Sequence, residues 1–188
     1  MPLRATDPET LAVWPALAPG EKTASAGYLM EEDSLGFTRR TAVSAPTITL
    51  YRGGLSAAPA CVLVCPGGGY GFLAEDVEGT EIASWLNQLG YVVGVLHYRV
   101  PENREGALQD AQRGISLLRS RAERLGVAAD GFGMLGFSAG GHLTARTAAD
   151  GDRRHYTPMD FVDGVSCRPS FAMLVCHAGL SRVSEGSR

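Results

Sequence analysis

Three observations predict an α/β fold with a mainly parallel sheet and helices on both faces. Four short apolar runs, 61–65 (CVLVC), 91–98 (YVVGVLHY), 132–137 (FGMLGF) and 171–176 (FAMLVC), lack the polar alternation of a half-exposed strand. Rich in Val and bounded by Gly or Pro, they suit strands buried on both faces of a parallel sheet. Stretches of helical period lie between them, and strand-helix alternation of this kind is the mark of the α/β class. The third observation is a glycine-flanked serine at the junction of one such strand and helix, Gly136-Phe137-Ser138-Ala139-Gly140.

Residues 1–35 are rich in Pro, Gly and acidic residues without clear period, and they read as an extended lead-in with Trp14 as an anchor. The remainder, 36–188, reads as one partial α/β domain. Two strand-like pieces open it, 37–44 (FTRRTAVS) and 47–52 (TITLYR). A helix over 78–89 places Ile82, Leu86 and Leu89 on one side, with Trp85 beside them. From Arg104 to Leu125 the apolar residues Leu108, Ala111, Ile115, Leu118, Ala122 and Leu125 step by three and four, predicting one continuous helix. A further helix opens at Ser138 and continues through Leu143 and Thr147. No internal repeat or low-complexity tract is visible.

With 188 residues the chain is long enough for one domain with a sizeable core. Its net charge is −3, Lys22 is its only lysine, and no basic cluster stands out. Arg119, Arg121 and Arg124 fit the solvated side of a helix, so nucleic acid is not an expected partner. No run has the length of a signal-peptide core or a membrane span, and a soluble, cytoplasmic protein with no membrane partner is expected. Cys61, Cys65, Cys167 and Cys176 form no CxxC pair, so neither a zinc site nor a disulfide framework is expected. Cys176 and His177 are adjacent at a strand end, where neighbouring side chains point to opposite faces, which disfavours a shared metal.

Ser138 sits in a G-x-S-x-G pattern after a buried strand and before a helix, the context a nucleophile elbow needs. The strained turn would lift the hydroxyl above the sheet, and glycines at 136 and 140 would keep the turn free of collisions. The following helix would aim its positive end where negative charge develops in acyl transfer. The alternative is a serine that merely caps a helix. A second feature bears on the choice: 65–71 (CPGGGYG) follows another buried strand, and its glycines expose backbone N–H groups. Acyl transfer needs two such donors on the carbonyl oxygen: one from the residue after the nucleophile, here Ala139, and one from a glycine-rich loop, here Gly68 or Gly69. A phosphate cradle is disfavoured, because no G-K-[ST] or G-x-G-x-x-G follows.

With both loops in place, the chain resembles the α/β-hydrolase superfamily, and within it the bacterial carbohydrate-esterase branch, acetylxylan-esterase or xylanase-B-like and related to the hormone-sensitive-lipase type. The blocks that carry the resemblance are VWPALAPG (13–20), CPGGGY (65–70), AEDVEGTEIASWLNQLGY (74–91), LHYRVPE (96–102), LQDAQRGISLLRSRA (108–122) and GFSAGGHL (136–143). Lipase-like relatives usually carry His before the glycine run; Pro66 here favours the xylan-esterase-like branch. The resemblance implies Ser138 as nucleophile and Gly68, Gly69 and Ala139 as oxyanion hole. It implies a serine carboxylesterase acting on a small ester or acetylated carbohydrate, with no metal or cofactor. Glu78 is expected near a helix start, and Arg99 with Asp110 as an ion pair tying a strand to the helix behind it.

In the family's order the acid follows a seventh strand and the histidine an eighth. This chain stops at Arg188, twelve residues after Cys176 at the end of the sixth. The expectation is therefore an N-terminal fragment whose exposed edge strand predisposes it to self-association. Among the four histidines, His142 lies one turn below Ser138, His97 beyond the neighbouring strand and His155 in a polar loop. His177, with Asp160 or Asp163, is the least implausible substitute base. Two alternatives to the esterase stay open: a catalytically inactive hydrolase remnant or binding module, and a prolyl-oligopeptidase-like peptidase.

Overall fold

The computed structural model describes residues 8–31, 36–52 and 58–176. Its main sheet has six strands in the order β1 (Glu9–Ala12), β4 (Thr47–Tyr51), β7 (Val92–His97), β5 (Cys61–Cys65), β8 (Phe132–Phe137) and β9 (Ala172–Val175). From β7 to β9 every pairing is parallel, whereas β4 pairs antiparallel with both β7 and β1. The four apolar runs are thus the parallel strands, but only three are buried as expected: β9 has a described neighbour, β8, on one side alone, and its residues are exposed. A smaller antiparallel sheet joins β2 (Ala26–Glu31), β3 (Thr38–Val43) and β6 (Leu73–Ala74).

The two-residue period of a strand decides which helix covers which side chain. Cys61, Leu63 and Cys65 of β5 join the larger core with Leu108, Ala111, Ile115 and Leu118 of α2 (Arg104–Arg119) and Leu143 of α4 (Ala139–Asp150). Val62 and Val64 turn the other way, to Ala83 and Leu86 of α1 (Glu81–Gln88). Helices therefore lie on both faces.

Two helices differ from the sequence expectation. The stripe over 104–125 is broken at Ser120–Arg121: α2 ends at Arg119 and α3 (Ala122–Leu125) follows, closed by Gly126 at φ 64°. Its apolar spacing survives the break because both pieces bury their leucines, Leu118 and Leu125. At its start Asn103 caps α2 by accepting the Gly106 N–H at 2.9 Å. The helix expected over 78–89 begins instead as a π-helical turn, Asp76–Thr80, before α1. Only Ala83 and Leu86 of α1 are buried, and Trp85 and Leu89 are exposed.

Residues 8–31 are stitched to the domain. The Trp14 indole N–H donates to Asp110 Oδ1 at 2.8 Å, and its ring meets Tyr156 edge-on at 4.8 Å. Asp110 also takes the Arg99 guanidinium, with Nη2 to Oδ1 at 2.9 Å, and the Arg99 backbone N–H at 3.0 Å. That is the expected strand-to-helix ion pair, and Arg99 spends further donors on the carbonyls of Pro19 and Gly106. These bonds work against the cost of desolvation, yet burial still pushes the Asp110 carboxyl above its ordinary value. Arg113 forms a second cluster, 2.6 Å from both Asp160 and Asp163. Among the described residues no helix is long and apolar enough to cross a membrane, and no group of three or more His, Cys, Asp or Glu could hold a metal ion.

Candidate active site

Strand β8 delivers Ser138 to the carboxyl edge of the parallel strands, and α4 starts at the next residue. Ser138 has φ 48° and ψ −112°, a backbone conformation that L residues rarely adopt. The turn is held by the Ser138 N–H donating to Val175 O at 2.9 Å and the His142 N–H donating to Ser138 O at 3.0 Å. Its hydroxyl makes no capping bond to α4, so the helix-cap alternative is not what the geometry displays. The glycine spacing has a steric cause. A Cβ at Gly136 would lie 2.1 Å from Gly140 O, and one at Gly140 would lie 2.0 Å from Cys65 O.

The loop after β5 comes against this turn. A Cβ on Gly67 would meet Ser138 Cβ at 3.0 Å and Glu78 Oε2 at 2.7 Å. Following its polar groups shows which are left over. Pro66 has no N–H, and its carbonyl accepts from the Tyr98 hydroxyl at 2.6 Å. The Gly67 N–H donates to Glu78 Oε2 at 2.7 Å, and its carbonyl accepts from Ala74 N at 3.0 Å. Gly68 O accepts from Gly71 N and Phe72 N, and Tyr70 O from Glu102 N. The N–H groups of Gly68 and Gly69 donate to no described residue. Gly68 lies at φ 132° and Gly69 at φ 64°. Ala139 stands in the first turn of α4, where a backbone N–H has no intrahelical acceptor.

Glu78 was expected near a helix start, for its charge; it lies in the π turn and its carboxylate holds the glycine loop. No sequence pattern points to Tyr70. Its hydroxyl lies 2.9 Å from His142 Nδ1, a contact spanning 72 residues of chain that no local pattern announces. Burial pushes the Tyr70 phenol up to about 12, against the pull of Arg146 and Arg104. Burial, then the charges of Arg146 and Arg104, lowers the His142 imidazole below its ordinary value. Both groups are therefore neutral at pH 7, and the tautomer of His142 sets which of the two donates.

The remaining described histidines are engaged away from Ser138. His97 Nδ1 is 3.1 Å from Thr47 Oγ1 and its Nε2 is 3.1 Å from Glu75 Oε1. Burial pushes the Glu75 carboxyl up, but hydrogen bonds and charges from His97 and Arg40 outweigh it and hold it at about 2. His155 sits between Glu105 at 2.7 Å and Asp150 at 2.9 Å. Asp160 and Asp163, the acids considered for His177, are both committed to Arg113. His177 itself lies outside the described residues. Among those described, no imidazole is hydrogen-bonded to the Ser138 hydroxyl.

Three comparisons give this arrangement its relatives. An acetylxylan esterase of Xylanibacter ruminicola is 37% identical over 81 residues, covering 43% of this chain and 17% of that protein. An acetyl ester-xyloside bifunctional hydrolase from Caldicellulosiruptor lactoaceticus superposes with a TM-score of 0.70 at 30% identity, covering 88% of this chain and 56% of that one. Thermogutta terrifontis esterase 2 shares the fold, with a TM-score of 0.62 at 19% identity over 87% of this chain and 56% of that one. The chain thus spans little more than half the length of these solved relatives. The architecture is that of the α/β-hydrolase esterases. A sequence model described as BD-FAE matches residues 50–171, well over half of the chain, and the chain belongs to that family.

Proposed function

We propose that this chain carries the nucleophile and oxyanion-binding part of a serine carboxylesterase site that takes acetyl esters, acetylated sugars among them. The observation that carries the reading is the pairing of a strained Ser138, its hydroxyl uncommitted to the helix, with a loop whose Gly68 and Gly69 amides donate to nothing described. In the proposed reaction Ser138 Oγ attacks the ester carbonyl, and the N–H groups of Gly68 or Gly69 and of Ala139 receive the charge that develops on its oxygen. Removing one such donor costs about 10²–10³ in rate where it has been measured. The C–O bond then breaks, the alcohol leaves with the serine proton, and water releases acetate from the acyl-enzyme. The relatives' names, an acetylxylan esterase and an acetyl ester-xyloside hydrolase, support the acetyl and sugar parts of this reading.

Proton transfer needs a base at Ser138, and losing it costs about 10⁶ in turnover in a serine hydrolase. His97, His142 and His155 are each held by other partners. That observation supports a second reading, an acyl-binding hydrolase remnant without turnover. A test compares wild type and Ser138→Ala on p-nitrophenyl acetate, on acetylated xylo-oligosaccharides and on a peptide p-nitroanilide. Ser138-dependent acetate release is the expected result. Absence of any Ser138-dependent rate establishes the inactive reading, and Ser138-dependent cleavage of the anilide alone establishes the peptidase.

A further inference from the structure

A groove of about 420 Å³ runs beside the candidate site, along the outer side of α4 and against the start of α2. Its volume is that of a small-molecule site. Ala145 and Ala149 line it, and their short side chains help make it concave. Arg104, Arg146 and Arg153 supply its cationic rim, and Asp150 lies toward one end. His142 links it to the site: its backbone N–H is bonded to Ser138 O, and its ring to Tyr70, the residue after Gly69.

The end nearest Ser138 presents donors. Because the Tyr70 hydroxyl occupies His142 Nδ1, the ring nitrogen left for a ligand is Nε2. The Arg104 guanidinium stacks 5.0 Å from the centroid of the Tyr70 ring and makes no ion pair among the described residues. Arg146 meets Glu105 only at 3.4 Å, while Glu105 is held more closely by His155 at 2.7 Å. Two guanidinium groups thus converge beside the His142 ring with little carboxylate to neutralise them, and their positive charge adds to burial in lowering the His142 imidazole. The other end is mixed: the Asp150 carboxylate there is paired with Arg153 and His155, so acceptors and donors stand side by side. A ligand matching both ends carries an anionic acceptor at one end and, at the other, hydroxyls that both donate and accept.

We propose that this groove binds an acidic sugar, its carboxylate on Arg104 and Arg146 beside His142 Nε2 and its hydroxyls toward Asp150. The planar guanidinium fork suits a carboxylate. The sugar rests on the esterase reading above; the carboxylate rests on the groove's own residues. The substrate class that follows is an ester of a saccharide bearing a uronic acid group.

The test is binding, which needs no turnover and so separates this inference from the esterase reading. The full chain is titrated with methyl β-D-glucuronide, with methyl β-D-glucoside, with acetate and with inorganic phosphate, following the His142 ring and arginine side-chain NMR signals. The expected result is saturable binding of the glucuronide, roughly tenfold or more tighter than the glucoside, and a loss of similar size in Arg104→Gln and in Arg146→Gln. Two variants guard against misfolding of one, and each is checked by its backbone spectrum. Equal affinity for glucoside, no saturable glucuronide binding, or unchanged affinity in both folded variants overturns the proposal. Acetate or phosphate binding as tightly as glucuronide also overturns it, by reducing the groove to a bare anion patch.

Discussion

Glu78 Oε2 lies 2.7 Å from the Gly67 amide nitrogen, and Gly67 in turn packs against Ser138. One carboxylate therefore occupies the glycine-loop N–H that is not meant for a substrate and fixes the course of the chain into Gly68. Replacing it leaves the buried Gly67 donor unpaired. Glu78→Ala is expected to cost about 1–3 kcal/mol in a denaturant melt. Glu78→Gln retains an acceptor oxygen and is expected to cost less than half of that. Equal losses in the two variants would mean that the hydrogen bond is not what the carboxylate contributes.

The glycines of the elbow and of the loop beside it make a graded prediction. A methyl at Gly140 runs into the Cys65 and Pro66 carbonyl oxygens, backbone atoms that cannot swing aside. A methyl at Gly69 meets nothing within 4 Å, so its only penalty is the left-handed φ of 64°. Gly140→Ala is expected to destabilise by about 3 kcal/mol or more, and Gly69→Ala by about 1–2 kcal/mol. Thermal and denaturant unfolding of the two variants decides the order.

Glu75 predicts an acid-side loss of stability. Its folded carboxyl titrates at about 2, below its ordinary value, so its contribution is present above that ordinary value and fades as the pH falls toward 2. The contribution is roughly 3 kcal/mol at most, shared with His97 and Arg40. The stability difference between wild type and Glu75→Gln should therefore be largest near pH 6 and shrink steadily below pH about 4.5. A difference that stays constant down to pH about 2.5 would contradict the assignment.

Among the described residues strand β9 forms one edge of the main sheet, and Met173, Leu174 and Val175 on it are exposed. An apolar edge with unpaired backbone groups is a template for pairing with a second copy. Concentration-dependent association in sedimentation is expected, and Leu174→Lys should suppress it. Association unaffected by the lysine would place the contact elsewhere.

Three of the parallel strands were legible because burial on both faces forces uninterrupted apolar runs such as CVLVC, whose residues are buried throughout, whereas β9 carries the same kind of run yet is exposed along its length. The elbow was legible for a steric reason, since approaches of about 2 Å leave only glycine at positions 136 and 140. Strands β1 and β2 were not resolved within the lead-in. Most of β2 is exposed, and its strand character comes from pairing with β3 rather than from its own pattern. The break after Arg119 was hidden because α3 resumes the same apolar spacing. Tyr70 with His142 and Glu78 with Gly67 are contacts that only the folded chain makes, across 72 and 11 residues respectively. Sequence spacing carries backbone necessities better than side-chain partnerships formed across the loop and helix of an active site.

The central claim is that Ser138 is the residue that accepts an acyl group. The most direct measurement is the intact mass and peptide map of the chain after brief exposure to p-nitrophenyl acetate, with Ser138→Ala alongside. A single acetyl group on Ser138, absent from the variant, is the predicted result. No acetylation at Ser138, or the same modification in wild type and variant, would contradict it.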